Sequence, residues 1–150
     1  MFSLPAFLRL VRASAIYDVL MTGAFATPWT LLLLRQHLSD LNVSLGGMPL
    51  PLFEPFHLLV GSLLGSVVLV WSVLRISDPQ PRFGRYDAAA RFLFSLWMIW
   101  ALVETGQPVL WLFLLPELAW GVLQSLPLAR AVEAGLTRCN NARCMMTERL

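Results

Sequence analysis

Residues 56–74 read FHLLVGSLLGSVVLVWSVL, a run with no carboxylate, lysine or arginine. Its length is close to the roughly 20 apolar residues a helix needs to cross a hydrocarbon layer about 30 Å thick. Three further stretches match it: Ala13–Leu34, Tyr86–Val103 and Pro108–Leu126. Inside hydrocarbon every backbone amide must find its partner within the protein, so only helices and closed barrels can span. A barrel strand alternates apolar and polar positions, and Leu31-Leu32-Leu33-Leu34 and Val67-Val68-Leu69-Val70 show no such alternation. The expected fold is all-α: a polytopic membrane protein, with a four-transmembrane-helix bundle over residues 1–127 (spans at about 13–34, 56–74, 86–103 and 108–126) and a polar tail over 128–150.

Composition supports the same class. The chain is 57% hydrophobic and 13% charged, against about 25% charged in an ordinary soluble domain. A soluble domain of 150 residues could not bury four such segments and still present a polar surface. All eleven basic residues are arginine, a compositional sign of a GC-rich bacterial genome, which places the chain in the bacterial inner (cytoplasmic) membrane. Arginines accumulate on the cytoplasmic side of such proteins. Here Arg9 and Arg12 precede the first stretch, Arg75, Arg82, Arg85 and Arg91 surround the second connection, and Arg130, Arg138, Arg143 and Arg149 lie in the tail. Only Arg35 falls on the other side. Both termini are therefore expected to be cytoplasmic. The net charge of +2 clusters at membrane boundaries and implies no nucleic-acid partner.

Arg9, Arg12 and the sequence Ala24-Phe25-Ala26 also fit a signal peptide with its cleavage site. Asp18 interrupts the apolar core such a peptide needs, and the run continues to Leu34, so the first stretch is expected to remain as a span. Phe2–Val11 is expected to lie in the cytoplasmic interface ahead of it. The connection Arg35–Pro55, with Gly46-Gly47 and prolines 49, 51 and 55, is expected to form an ordered, partly apolar outer cap. Asp78-Pro79-Gln80-Pro81 cannot continue a helix. A short echo, Tyr17-Asp18 and Tyr86-Asp87, marks the starts of the first and third stretches.

Polar and small residues recur at helical spacing within each stretch, so each set shares one face. The sets are Asp18, Thr22 and Ala26; His57, Gly61 and Gly65, with Ser62 and Ser66 beside them; Arg91 and Ser95; and Glu117, Gly121 and Gln124. Four helices with one polar stripe each imply a bundle with a polar interior. Gly61 and Gly65 form a G-x-x-x-G that admits close approach of a second helix, either within the bundle or across a homodimer face. Gly121 is a further packing glycine. At ~1.5 Å per residue, Asp18 and Arg91 lie at similar depth, so an ion pair between them is expected to bolt the first helix to the third. Glu117 lies near the middle of the fourth span with no partner evident from sequence, where an unpaired carboxylate costs several kcal/mol. It becomes the main candidate for an intramembrane polar site, with Gln124 and His57 as companions.

Haem, metal and soluble-type catalysis find no support. His57 has no second histidine in a span. Cys139 and Cys144, spaced C-x4-C, lack the four close ligands of a zinc site and are expected to be free thiols. No nucleophile–base pair or phosphate loop occurs.

The stretch Arg85-Tyr86-Asp87-Ala88-Ala89-Ala90-Arg91, the Trp-rich helix that follows it, and Pro116-Glu117-Leu118-Ala119-Trp120-Gly121 resemble small bacterial inner-membrane proteins of four helices. In build the chain is similar to the DoxX-like group over residues 13–127. That resemblance implies a four-helix fold and, for some members, a link to quinone-coupled redox chemistry. No cysteine pair lies within the spans to carry such chemistry here, so no cofactor is expected. Three functional expectations follow: a non-enzymatic membrane subunit that binds lipid, a homodimer mate or a membrane-protein partner; a small proton-coupled transporter using Glu117; or a quinone-linked redox subunit.

Overall fold

The computed structural model describes residues 2–127, and these are helical with no β-sheet. The elements are α1 (Leu4–Thr22), a 3-10 turn (Gly23–Phe25), α2 (Pro28–Ser44), α3 (Pro55–Ser77), α4 (Pro81–Thr105), a second 3-10 turn (Pro108–Leu110) and α5 (Trp111–Ser125). Expectations for the tail over 128–150, Cys139 and Cys144 included, lie outside the described residues.

Prolines set most of the starts. Pro5, Pro28, Pro55, Pro81 and Pro108 each stand in the first turn of a helical segment, where the missing N–H has no intrahelical acceptor to lose and φ is already helical. Glu54 and His57 close a reciprocal capping box at the start of α3. Gly106 ends α4 in the left-handed region, at φ 63°, which glycine adopts without a Cβ penalty.

The apolar stretch Ala13–Leu34 is not one helix. It breaks at residues 23–27, and α2 leaves at 98° to the preceding segment Leu4–Phe25. The cause is local. Pro28 has no N–H and disfavours a helical Thr27, which is extended at φ −132°, ψ 148° and caps α2 by accepting from the Thr30 amide at 3.2 Å. Phe2–Val11, expected at the interface, supplies instead the first turns of α1, where Phe7 and Val11 are buried. Pro81 likewise starts α4 five residues before the expected span, leaving only a short break at 78–80.

α3, α4 and the segment Pro108–Ser125 are each long and apolar enough to cross a membrane, and the bent pair α1–α2 passes the same test when taken together. Large apolar side chains face outward along them, Val67, Val70, Trp97, Trp100 and Val103 among them. The interior is the reverse. Each helix turns a stripe of small and polar residues inward: Ser14, Ala15 and Asp18 on α1; Gly65, Ser72 and Arg75 on α3; Gly84, Asp87, Ala88, Arg91 and Ser95 on α4; Gly121 and Gln124 on α5.

α1 packs mainly on α3, and α4 mainly on α5, with α1 bridging the two pairs. Glycines allow the tightest approaches. A Cβ at Gly65 would fall 2.5 Å from the Phe25 carbonyl carbon, and one at Gly61 would fall 2.7 Å from Leu31 Cδ2. Both glycines of the G-x-x-x-G thus face the α1–α2 elbow of their own chain. Gly84 lies under Val11 and Phe7 in the same way, whereas Gly121 makes only ordinary contact with Arg91 and Phe92.

α2 and the segment 45–54 cap the end of the bundle opposite the α3–α4 turn. Fully buried Asn42 holds this cap together: its side-chain amide donates to the Met48 carbonyl at 2.7 Å and to Gln107, and its oxygen accepts from the Val109 amide at 2.9 Å. Arg35 donates to the carbonyls of Leu50 and Pro51. The expected ordered cap is therefore present, but its first half is helix.

Candidate functional site

The inward stripes converge on a cluster of five charged side chains drawn from α1, α3, α4 and α5. Arg91 on α4 is the hub. Its Nη2 donates to both oxygens of Asp18 at 2.7 and 2.8 Å, its Nε to Asp87 Oδ2 at 3.1 Å, and its Nη1 to Glu117 Oε2 at 2.8 Å. Arg75 on α3 forks the same two aspartates from the other side. Its Nη2 donates to Asp18 and to Ser72 Oγ, while its Nη1 pairs with Asp87 Oδ2 at 2.5 Å and donates to Ser14 Oγ at 3.3 Å. Trp71 packs 5.7 Å from the Arg75 guanidinium and donates its indole N–H to Asp87 Oδ1 at 3.2 Å. The arginines are all but inaccessible, Arg75 at 0% and Arg91 at 2% exposure.

Helical geometry assembles the set. Asp87 and Arg91 are four residues apart on α4, and Ser72 and Arg75 are three apart on α3, so each pair shares a face. Guanidinium groups suit the task because one planar fork can serve several carboxylates at once. Counted from the ends of α4 at ~1.5 Å per residue, Arg91 lies about 15 Å from Pro81 and about 21 Å from Thr105. Glu117 lies a similar distance from either end of Pro108–Ser125. On α3 and α4 the cluster lies toward the α3–α4 turn, since Arg75 directly follows the apolar run 56–74 and Arg91 is five residues inside the stretch that begins at Tyr86, whereas Glu117 lies near the middle of its segment.

Below it, toward the α3–α4 turn, the polar column continues. Gln124 Nε2 donates to Ser14 Oγ at 2.6 Å, and Ser14 lies 3.5 Å from Asp87 Oδ2. Gln124 also lines an open cavity of about 410 Å³ with Phe7, Arg85, Ala88, Ala89 and Phe92. Above Arg91, toward α2, comes buried Ser95, and then apolar Leu114 and Val109 fill the interior. Tyr17 packs beside the cluster on Trp120, ring centres 5.9 Å apart.

The expected Asp18–Arg91 pair is thus present, but as one edge of a larger network. The expectation that Glu117 lacks a partner is overturned, because Arg91 reaches it across the α4–α5 hairpin. Gln124 belongs to the column as expected. His57 does not: it is exposed at the far end of α3, where its Nδ1 accepts from the Glu54 amide at 3.3 Å. Arg75 and Asp87 were missed by sequence reading, since an arginine at a helix end reads as a topology signal and an aspartate there as a helix start. The signal that could have found them is the Asp87–Arg91 spacing, together with the echo of Tyr17-Asp18 in Tyr86-Asp87. Both echoed aspartates meet the same two arginines.

Three carboxylates face two guanidiniums. With every group ionised the cluster carries one uncompensated negative charge, and with one proton added it is neutral. No set of three or more histidine, cysteine or acidic residues suited to a metal ion occurs among the described residues. Compared with known proteins, the chain matches no family model, no curated protein and no solved structure.

Proposed function

We propose that this chain is a four-span integral protein of the bacterial inner membrane, with cytoplasmic termini, and that it acts as a small proton-coupled transporter whose protonatable group is Glu117. The bent pair Leu4–Phe25 and Pro28–Ser44 supports the fourth span, since it is long and apolar enough when taken together, and Leu4–Phe25 by itself extends about 33 Å at ~1.5 Å per residue. The 98° bend then lays α2 along the outer surface. The arginines at the α3–α4 turn make that end cytoplasmic.

One observation carries the functional reading: the excess of carboxylates over guanidiniums in the cluster. An unbalanced charge within the bilayer is costly, so a third carboxylate facing two guanidiniums calls for a compensating proton. An extra carboxyl becomes inexpensive when it binds a proton. Glu117 is the group placed for this. It meets the cluster through a single arginine nitrogen, and its side chain is 14% exposed, against 8% for Asp18 and 6% for Asp87. Its contact with Arg91 lies within the α4–α5 pair, and Arg91 also reaches Asp18 on α1, so protonation of Glu117 would free one nitrogen of the guanidinium that ties this pair to α1.

The test is dissipation of a pH gradient by proteoliposomes loaded with a pH-sensitive dye. Wild-type vesicles are expected to equilibrate faster than vesicles carrying Glu117→Gln, which leaves the cluster balanced and folded. Equal rates for wild type, Glu117→Gln and protein-free vesicles would remove the transport reading.

A second reading, a non-enzymatic subunit binding lipid or a membrane-protein partner, is favoured by the exposed apolar residues at the α2 end: Trp29, Met48, Leu52 and Phe56. The residues that carry the DoxX-like resemblance include Asp87, Arg91 and Glu117, and we assign Glu117 to proton binding and Arg91 to holding the acids, rather than to quinone chemistry.

A further inference from the structure

The proposed proton site leaves open how a proton reaches a carboxyl in the middle of the bundle. We propose that it enters from the α3–α4 turn end alone, through the cavity beside Ala89, and that Gln124 and Ser14 form the polar neck between that cavity and the charge cluster. This inference rests on the proton-site reading and specifies its route.

Four observations converge on it. The cavity, at about 410 Å³, is far larger than the ~30 Å³ share of a single water, and among the described residues it is open at the surface. Gln124 lines it while only 1% exposed, so the amide is set in the wall rather than on the rim. The Gln124 side chain faces two ways: Nε2 donates to Ser14 Oγ at 2.6 Å, whereas nothing among the described residues bonds to its buried Oε1. Buried amide oxygens are rarely left unbonded, and one at the wall of an open cavity is placed to accept a hydrogen bond from water entering it. Finally, Ser14 sits against Asp87 Oδ2 and Arg75 Nη1, which places the neck in direct contact with the cluster.

From there the acids are gathered around the guanidiniums. Asp87 and Asp18 are held side by side by the Arg75 and Arg91 forks, and Arg91 links both to Glu117. The guanidiniums stay charged and hold the acids in place. The balanced step is transfer of one proton from a hydronium ion in the cavity to the Glu117 carboxylate, leaving one water and one carboxylic acid. The charged and titratable groups around Glu117 are Arg91 and Asp87 from α4, Asp18 and Tyr17 from α1, and Arg75 from α3. In the opposite direction the column ends at Ser95, with Leu114 and Val109 beyond it, so release toward the α2 end requires a second arrangement of the helices.

The experiment follows the carboxylic-acid C=O band of Glu117 by time-resolved infrared spectroscopy after a light-triggered acid jump. The protein is full-length, in lipid nanodiscs, with Cys139 and Cys144 replaced by serine. Ala89 is exposed and lines the cavity, so Ala89→Cys labelled with a bulky maleimide should plug the entrance. Val60→Cys, labelled in the same way, is the control at the opposite end, where Val60 lines a separate apolar cavity. The plugged Ala89→Cys protein and Gln124→Leu are each expected to protonate Glu117 roughly tenfold more slowly, with the final band unchanged. Labelled Val60→Cys should keep the wild-type rate. Retention of the equilibrium band in Gln124→Leu establishes that the variant is folded. Unchanged rates in both cavity variants, or slowing by the Val60 label instead, would overturn the route while leaving the proton site standing. Absence of any Glu117 acid band in the wild type would overturn the site and the route together.

Discussion

Arg75 illustrates how a residue's position along a helix differs from its position in a fold. It stands two residues from the end of α3 and is wholly inaccessible, because α1 and α4 close over it. Its guanidinium is the only cation besides Arg91 that meets Asp18 and Asp87 among the described residues. Removing one partner of a buried ion pair leaves the other charge stranded, at a cost of about 3–5 kcal/mol. Arg75→Met is therefore expected to destabilise the protein by about that amount in thermal or denaturant unfolding. Arg75→Lys should recover only part of the loss, because one ammonium cannot fork two carboxylates. A loss below ~0.5 kcal/mol for Arg75→Met, the size of an ordinary surface change, would mean that the cluster does not hold the helices together. Residue depth made the Asp18–Arg91 pair readable from sequence, and intramembrane cost singled out Glu117. Depth said nothing about Arg75, whose long side chain reaches back into the bundle from a position that hydropathy assigns to a boundary.

At the scale of elements, α3, α4 and α5 were legible because their apolar length is what a bilayer demands, and lipid-facing surface needs no tertiary information. The first stretch was not. Averaged hydropathy over Ala13–Leu34 does not register that Thr27 must be extended ahead of Pro28, so two helices at 98° read as one. The elbow explains the glycine motif as well. Gly65 is filled by the backbone of Phe25 and Ala26, whereas Gly121 has ordinary clearance. Gly65→Ala is expected to cost about 1–3 kcal/mol through overpacking against backbone that cannot retreat. Gly121→Ala should fall within about 0.5 kcal/mol of wild type, or gain slightly from helix propensity. Thermal unfolding of the two variants checks this, and equal losses would contradict the placement of the elbow. Self-association measured in the same preparations separates the homodimer alternative, since a motif buried within its own chain should not change oligomeric state when altered.

Across the whole molecule, the described chain inverts the soluble pattern: apolar surface, polar centre. Two helix pairs, α1–α3 and α4–α5, meet around a cluster that neither pair could build alone. Asp18 and Arg75 come from one pair, Asp87, Arg91 and Glu117 from the other. Neutralising Glu117 would free one nitrogen of Arg91, the guanidinium that also ties the α4–α5 half to Asp18 of the other. The cavity beside Gln124 opens toward the α3–α4 turn, and buried Leu114 and Val109 fill the interior beyond Ser95. The most direct measurement of this account is the equilibrium infrared spectrum of the purified protein in lipid at neutral pH. One buried carboxylic-acid C=O band is expected in the wild type, absent in Glu117→Gln and retained in Asp40→Asn, whose altered residue is exposed on α2. A wild-type spectrum without that band, or a band that survives Glu117→Gln, would contradict it.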